Sequence, residues 1–206
     1  MECSVQIDSQ EAKIGNRYYN RSERCINRGR VLVKKNHVLC KTVKEINLDL
    51  VTPQRAGVIL YTVKDGELLF GLGIDTRSRQ LTDFGGGVSY RKDLNAIFGA
   101  LREFDEESLR IIDPLTIDQI IDCPVIYDLH NLIVFVYLGD TNTELLSNLF
   151  DVKYQKYIEI TNMTPEVSKI VWLREHEFRQ SINFGSSMFT RVQNFLRRAG
   201  NFFVNL

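Results

Sequence analysis

The stretch Gly85–Leu109, GGGVSYRKDLNAIFGALREFDEESL, decides how the rest of the chain is read. Its second half has helical spacing: Leu94, Ile97, Phe98, Leu101, Phe104 and Ser108 recur at intervals of three and four and form one stripe, which is the expected buried face. Glu103, Glu106 and Glu107 fall at i, i+3 and i+4 on the other side, so three carboxylates share about one helical turn. Like charges so placed repel by roughly 0.2–0.5 kcal/mol per pair in an exposed helix, a small cost in water and an asset if a cation sits among the oxygens.

Three glycines precede the helix and let the backbone turn tightly and approach a ligand closely, with the helix N-terminus behind them favouring phosphate. Asp93 is the expected N-cap of a helix starting at Leu94. Gly99 costs a helix about 0.8–1.0 kcal/mol relative to Ala, which predicts a neighbour close to the backbone there. The bland alternative is an ordinary amphipathic helix with a solvated acidic face.

At these residues the chain resembles the Nudix hydrolases, whose box is a glycine, five residues, Glu, seven residues, then Arg-Glu-aliphatic-x-Glu-Glu-x-Gly and an aliphatic residue. Arg102-Glu103-Phe104-Asp105-Glu106-Glu107 carries the likeness. It implies that Glu103, Glu106 and Glu107 hold Mg²⁺ or Mn²⁺ and that Arg102 orients a carboxylate. Two positions depart from the box: Leu94 stands where the family has its first Glu, with Asp93 one residue early, and Leu109 replaces the terminal Gly. The first departure questions the structural pairing of Arg102, the second the way the helix ends; neither removes the acidic trio.

The flanks agree in order. Ala56–Val63 (AGVILYTV) is a nearly continuous apolar run of the kind a doubly covered strand has, Lys64-Asp65-Gly66 is a turn, and Glu67 onward returns as a partner strand. A polar loop over 74–80 carries Arg77 and Arg79, and Leu81–Phe84 leads into Gly85, Gly86 and Gly87. Beyond the helix, Arg110–Asp113 is an expected short strand; 124–128 and Asn131–Leu138 are two antiparallel ones. Thr141 and Glu144 read as a capping box for a helix through Leu149, Glu166–Leu173 as a last strand, and Arg174–Arg179 as a short helix. Ser187 is the expected cap of a final helix that carries Met188, Phe189, Val192, Phe195, Leu196 and Ala199 and stops at Gly200. The expected fold class is α+β, a Nudix-type α/β/α sandwich with a mixed central sheet, over residues 55–206, with 1–54 as a basic N-terminal extension or small subdomain.

Length and composition agree with one domain. The 206 residues are 44% hydrophobic and 25% charged, as in soluble globular proteins. No apolar run approaches the ~20 residues of a membrane span and the first residues lack a signal-peptide core, so the expected location is the cytoplasm, with no membrane partner. Cys3, Cys25, Cys40 and Cys123 have no paired spacing, which favours free thiols; His37 with Cys25 and Cys40 lacks a fourth ligand for zinc.

Net charge is zero but uneven: between Lys13 and Lys44 ten Lys or Arg face a single acid, Glu23. Such a cluster, interleaved with Tyr18 and Tyr19, is the footprint of a polyanionic partner, or else a basic face that contacts the acidic remainder of the chain.

The function implied is metal-dependent cleavage of a phosphoanhydride in a nucleoside-diphosphate-linked substrate, with Glu103, Glu106, Glu107 and Arg102 as catalytic residues. Gly85, Gly86, Gly87, Arg77, Arg79 and Phe70 are the substrate-binding candidates; Tyr61 and Tyr137 are further aromatic platforms, though strand aromatics are more often core. A fourth acid is expected from a later loop: Glu144, Glu159 or Glu166. Capped mRNA is the preferred substrate, in keeping with the basic N-terminal region and a similarity to the decapping Nudix enzymes of large DNA viruses. Free nucleotides, dinucleoside polyphosphates and diphosphoinositol polyphosphates are alternatives; so, from another class, is a non-catalytic RNA-binding module. Oligomeric state is not readable from the sequence.

Overall fold

The computed structural model describes residues 38–48 and 51–200. Most of the basic segment, Cys3, Cys25 and His37 lie outside these residues. Strands and helices follow in the order β1 (Leu39–Thr42), β2 (Arg55–Lys64), β3 (Glu67–Asp75), β4 (Leu81–Thr82), β5 (Phe84–Gly87), α1 (Ala96–Glu107), α2 (Ile117–Ile120), β6 (Pro124–Tyr127), β7 (Asn131–Tyr137), α3 (Thr143–Thr161), β8 (Val167–Arg174), α4 (Glu175–Asn183) and α5 (Thr190–Ala199).

β2 is the hub. Its first seven residues, Arg55–Tyr61, run parallel to β7 along one edge, and on the other edge its two halves diverge: Arg55–Val58 pair antiparallel with β5, Leu60–Lys64 with β3. The sheet is mixed, in the order β1-β6-β7-β2-β3-β4, with β5 on β2 and β8 on β3. The Asp65-Gly66 turn takes positive φ at both residues (53° and 79°), the twist a two-residue hairpin needs, so β2 and β3 meet in the register Lys64↔Glu67. β1 pairs with β6 and so extends the sheet with residues that precede position 55.

Alternate β2 side chains go to opposite cores. Ala56, Val58 and Leu60 join Ile97, Ala100 and Phe104 of α1 and Phe150 of α3; Ile59 joins Phe178 of α4 and Phe195 and Leu196 of α5. Helices therefore cover both faces of the sheet. This is the α+β sandwich with a mixed sheet that the sequence predicts. Among the described residues no helix is long and apolar enough to cross a membrane.

Several local expectations are corrected. Residues 110–113 form no strand. α3 is capped by Asn142, whose Oδ1 accepts from the Glu144 and Leu145 amides at 3.1 Å, and it runs to Thr161 rather than Leu149. α5 starts at Thr190 and not behind a Ser187 cap, because Leu81 takes this segment into a bridge: its amide donates to the Ser187 carbonyl and its carbonyl accepts from Phe189.

Candidate functional site

α1 starts two residues later than expected. Asn95 is its N-cap, with Oδ1 accepting from the Ile97 and Phe98 amides at 3.0 and 3.2 Å. The buried stripe shifts accordingly to Ala96, Ile97, Gly99, Ala100 and Phe104, followed by Ser108, while Leu94 is 83% exposed and Phe98 is 37% exposed. Small residues bring this face close to its neighbours. A Cβ at Gly99 would stand 3.2 Å from Asp93 Oδ2 and from both Val88 methyls, the close approach that its helix cost predicts.

Asp93, released from capping, closes the turn before the helix. Its Oδ2 accepts from the Ser89 amide at 2.8 Å, and its carboxylate meets Arg102, Nε to Oδ1 at 2.9 Å and Nη2 to Oδ2 at 3.1 Å. The hydrogen bond from Arg102 holds the Asp93 carboxyl below its ordinary range. Arg102 also donates to the Gly87 carbonyl at 3.0 Å and lies 2.8 Å from Glu103 Oε1 and 3.3 Å from Glu106 Oε2.

The glycines are part of strand β5, eight or more residues ahead of the helix, so they do not build a phosphate seat at its N-terminus. Their missing side chains make room for carboxylates instead. A Cβ at Gly86 would lie 2.4 Å from Glu103 Oε2, and the Gly85 amide donates to Glu107 Oε2 at 2.6 Å. Burial pushes the Glu107 carboxyl up to about 9, with the Asp83 charge adding and the Gly85 amide and Arg55 opposing. Burial also raises Glu103, against the pull of Arg102, and the charges of Glu106 and Glu166 push the same way. Glu106 differs, being 60% exposed and leaning on Arg102.

Beneath the glycines lies a pair that sequence reasoning missed. Arg55 grips Asp83 with both nitrogens, Nη1 to Oδ2 at 2.7 Å and Nη2 to Oδ1 at 2.6 Å, and Nη2 also donates to the Gly85 carbonyl at 2.8 Å. Both side chains are buried. The available signal was one acid and one base in otherwise apolar strands, LTDF and RAGVIL.

The other candidates separate. Phe70 is fully buried and stacks on Phe178 with ring centroids 4.3 Å apart, so it is a core residue and not a substrate platform. Arg77 and Arg79 are exposed on a turn that Thr76 ties to the loop leading into β8, its amide donating to the Glu166 carbonyl at 2.7 Å and its hydroxyl to the Pro165 carbonyl at 2.7 Å. Of the three later acids, Glu166 is the one whose charge acts on Glu103. Glu144 and Glu159 stand exposed on α3.

Among the described residues no three His, Cys, Asp or Glu side chains converge as a finished metal cluster. The donor chemistry nevertheless fits a hard divalent cation: oxygen donors alone, two of them raised by burial and mutual repulsion, on a backbone cleared by glycines.

No family model matches the chain, and no curated protein does. Its neighbours among solved structures are Nudix proteins. A C. elegans Ap4A hydrolase in a binary complex aligns at 15% identity and a TM-score of 0.41, covering 74% of this chain and 98% of that one. The Nudix domain of Shewanella oneidensis NrtR, in complex with ADP-ribose, aligns at 11% and 0.41, covering 73% and 88%. A likeness at this level carries no activity from those proteins to this chain, and the functional reading rests on the site itself.

Proposed function

We propose that this chain is a divalent-metal-dependent pyrophosphohydrolase of the Nudix type, acting on a nucleoside diphosphate joined to a further group. One observation carries the reading: a single turn of α1 sets Glu103 and Glu107 against Gly86 and Gly85, with Arg102 braced on Asp93 beside them.

Glu103, Glu106 and Glu107 are the residues that would hold Mg²⁺ or Mn²⁺. The cation, when bound, supplies charge neutralisation on the diphosphate and eases deprotonation of the attacking water. The remaining work belongs to the chain. Arg102, fixed by Asp93, keeps Glu103 and Glu106 from drifting apart. Glu107, with one oxygen tied to the Gly85 amide, cannot swing away from the bend. Glu166 is the fourth carboxylate and takes the proton of the water, since it is exposed and its charge reaches Glu103. Arg77 and Arg79, on the turn fastened beside Glu166, bind the phosphates of the substrate.

Capped RNA is the substrate we favour, because ten of the chain's 26 Lys and Arg lie between residues 13 and 44. The deciding experiment is a panel of pyrophosphate substrates with Mn²⁺: capped RNA, ADP-ribose, a dinucleoside polyphosphate, free nucleotides and a diphosphoinositol polyphosphate. Capped RNA should turn over fastest, with binding that weakens steeply as salt rises, and E106Q should abolish turnover while keeping RNA bound. Absence of Mn²⁺-dependent turnover on every member would leave the RNA-binding module as the reading.

A further inference from the structure

We propose that the buried Asp83–Arg55 pair is a positioning device for Glu107, acting through the Gly85 peptide. The proposal rests on the metal-dependent reading of the site given above.

Three links form one chain. Asp83 orients the Arg55 guanidinium with two short hydrogen bonds at 2.7 and 2.6 Å. Arg55 then donates to the carbonyl of Gly85 at 2.8 Å, and the amide of the same residue donates to Glu107 at 2.6 Å. Because Gly85 has no side chain of its own, its backbone would otherwise be held only by strand pairing to Gly57. Close packing reinforces the arrangement: a Cβ on Gly57 would lie 2.3 Å from Asp83 Oδ2 and 2.9 Å from Gly85 Cα. An ion pair is an expensive way to fill a core, since apolar residues of similar volume stabilise as well or better. A guanidinium that lies flat against one carboxylate and keeps a donor free for a carbonyl suits alignment, a task to which the point charge of Lys is unsuited.

The test compares wild type with R55K, the apolar double variant R55M/D83L, E107Q, and R55K in the E107Q background. Hydrogen exchange of the Gly85 amide is read by NMR in the metal-free protein, and Mn²⁺ affinity by electron paramagnetic resonance titration. R55M/D83L is expected to retain the fold, since apolar replacement of a buried ion pair is often neutral or stabilising, and so guards against a variant that fails simply by unfolding. The expected result is Gly85 exchange at least tenfold faster in R55K and R55M/D83L, with the Val58 and Val134 amides of the same sheet unchanged. Mn²⁺ affinity should fall about tenfold in both, and R55K should add nothing once Glu107 is Gln. The proposal is overturned if Gly85 exchange stays at the wild-type rate, or if R55K weakens Mn²⁺ equally with and without Glu107. A wild type that binds no Mn²⁺ would end the hydrolase reading instead, and the Gly85 exchange rates alone would then decide the positioning role.

Discussion

Arg102 lays its guanidinium across the carboxylate of Asp93, with Nε 2.9 Å from Oδ1 and Nη2 3.1 Å from Oδ2. The acid that the Nudix box places eight residues before the arginine is here nine residues before it, and the pairing is made all the same. It is made because Asp93 lies in the turn before the helix, where its position is set by the Lys92 and Asp93 amides donating to the Ser89 carbonyl and by the Ser89 amide donating to its carboxylate, and not by helical register.

Asp93→Asn should therefore cost about 1.5–3 kcal/mol at pH 7, the range for a hydrogen bond to a charged group. The Asp93 carboxyl is held below its unfolded value by Arg102, so its contribution is present above about pH 4 and is lost as pH falls through the depressed folded value. Urea unfolding of both proteins at pH 7 and pH 3 checks this, and equal deficits at the two pH values would refute it. Leu94→Glu should not rescue Asp93→Ala, because residue 94 faces water.

The glycines separate activity from stability. An added Cβ at Gly86 meets only the tip of Glu103, a flexible side chain, so Gly86→Ala should fold within about 1 kcal/mol of wild type and lose at least 100-fold in kcat. At Gly85 the added Cβ meets backbone, Gly57 Cα at 2.5 Å and the Ala56 carbonyl at 2.6 Å, and the variant should lose about 1–3 kcal/mol or more from overpacking. Gly87→Ala has open space and should change neither quantity. Thermal melts beside steady-state rates for the three variants read this directly.

Glu107 makes stability depend on pH in the opposite sense to Asp93. Its carboxyl, about 9 when folded and near 4.5 in the unfolded chain, keeps its proton between those values only in the folded state, so the metal-free protein should lose stability as pH rises from 4.5 to 9. Denaturation in EDTA should show that slope, and E107Q should flatten it. Mn²⁺ displaces the same proton, so near pH 7 binding should release about one proton, measurable by calorimetry in buffers of different ionisation enthalpy. No proton release in wild type would contradict the assignment of Glu107 as a ligand.

How far the sequence reached follows from which forces are local. The β2–β3 hairpin was readable because Asp65-Gly66 and the flanking apolar runs carry their own geometry. The acidic turn of α1 was readable because helical spacing fixes neighbours within one element. The identity of its buried face was not: Leu94 and Phe98 are apolar, but Asn95 captures the helix start and the small residues Ala96, Gly99 and Ala100 win the close contact. Arg55 and Asp83 lie 28 residues apart, and only the pairing of β2 with β5 brings them together. The same holds for Glu166, whose standing above Glu144 and Glu159 comes from where β8 enters the sheet beside β3.

That ranking gives the last prediction. If Glu166 takes the proton from the attacking water, Glu166→Gln should lower kcat by about 10²–10⁴, the usual weight of a general base, and leave KM and Mn²⁺ affinity within a few-fold of wild type. Glu144→Gln and Glu159→Gln, on the exposed face of α3, should behave as wild type in all three measurements. An unchanged kcat in Glu166→Gln, or an equal loss on replacing Glu144 or Glu159, would remove Glu166 from the mechanism and leave the proton to one of the three glutamates of α1.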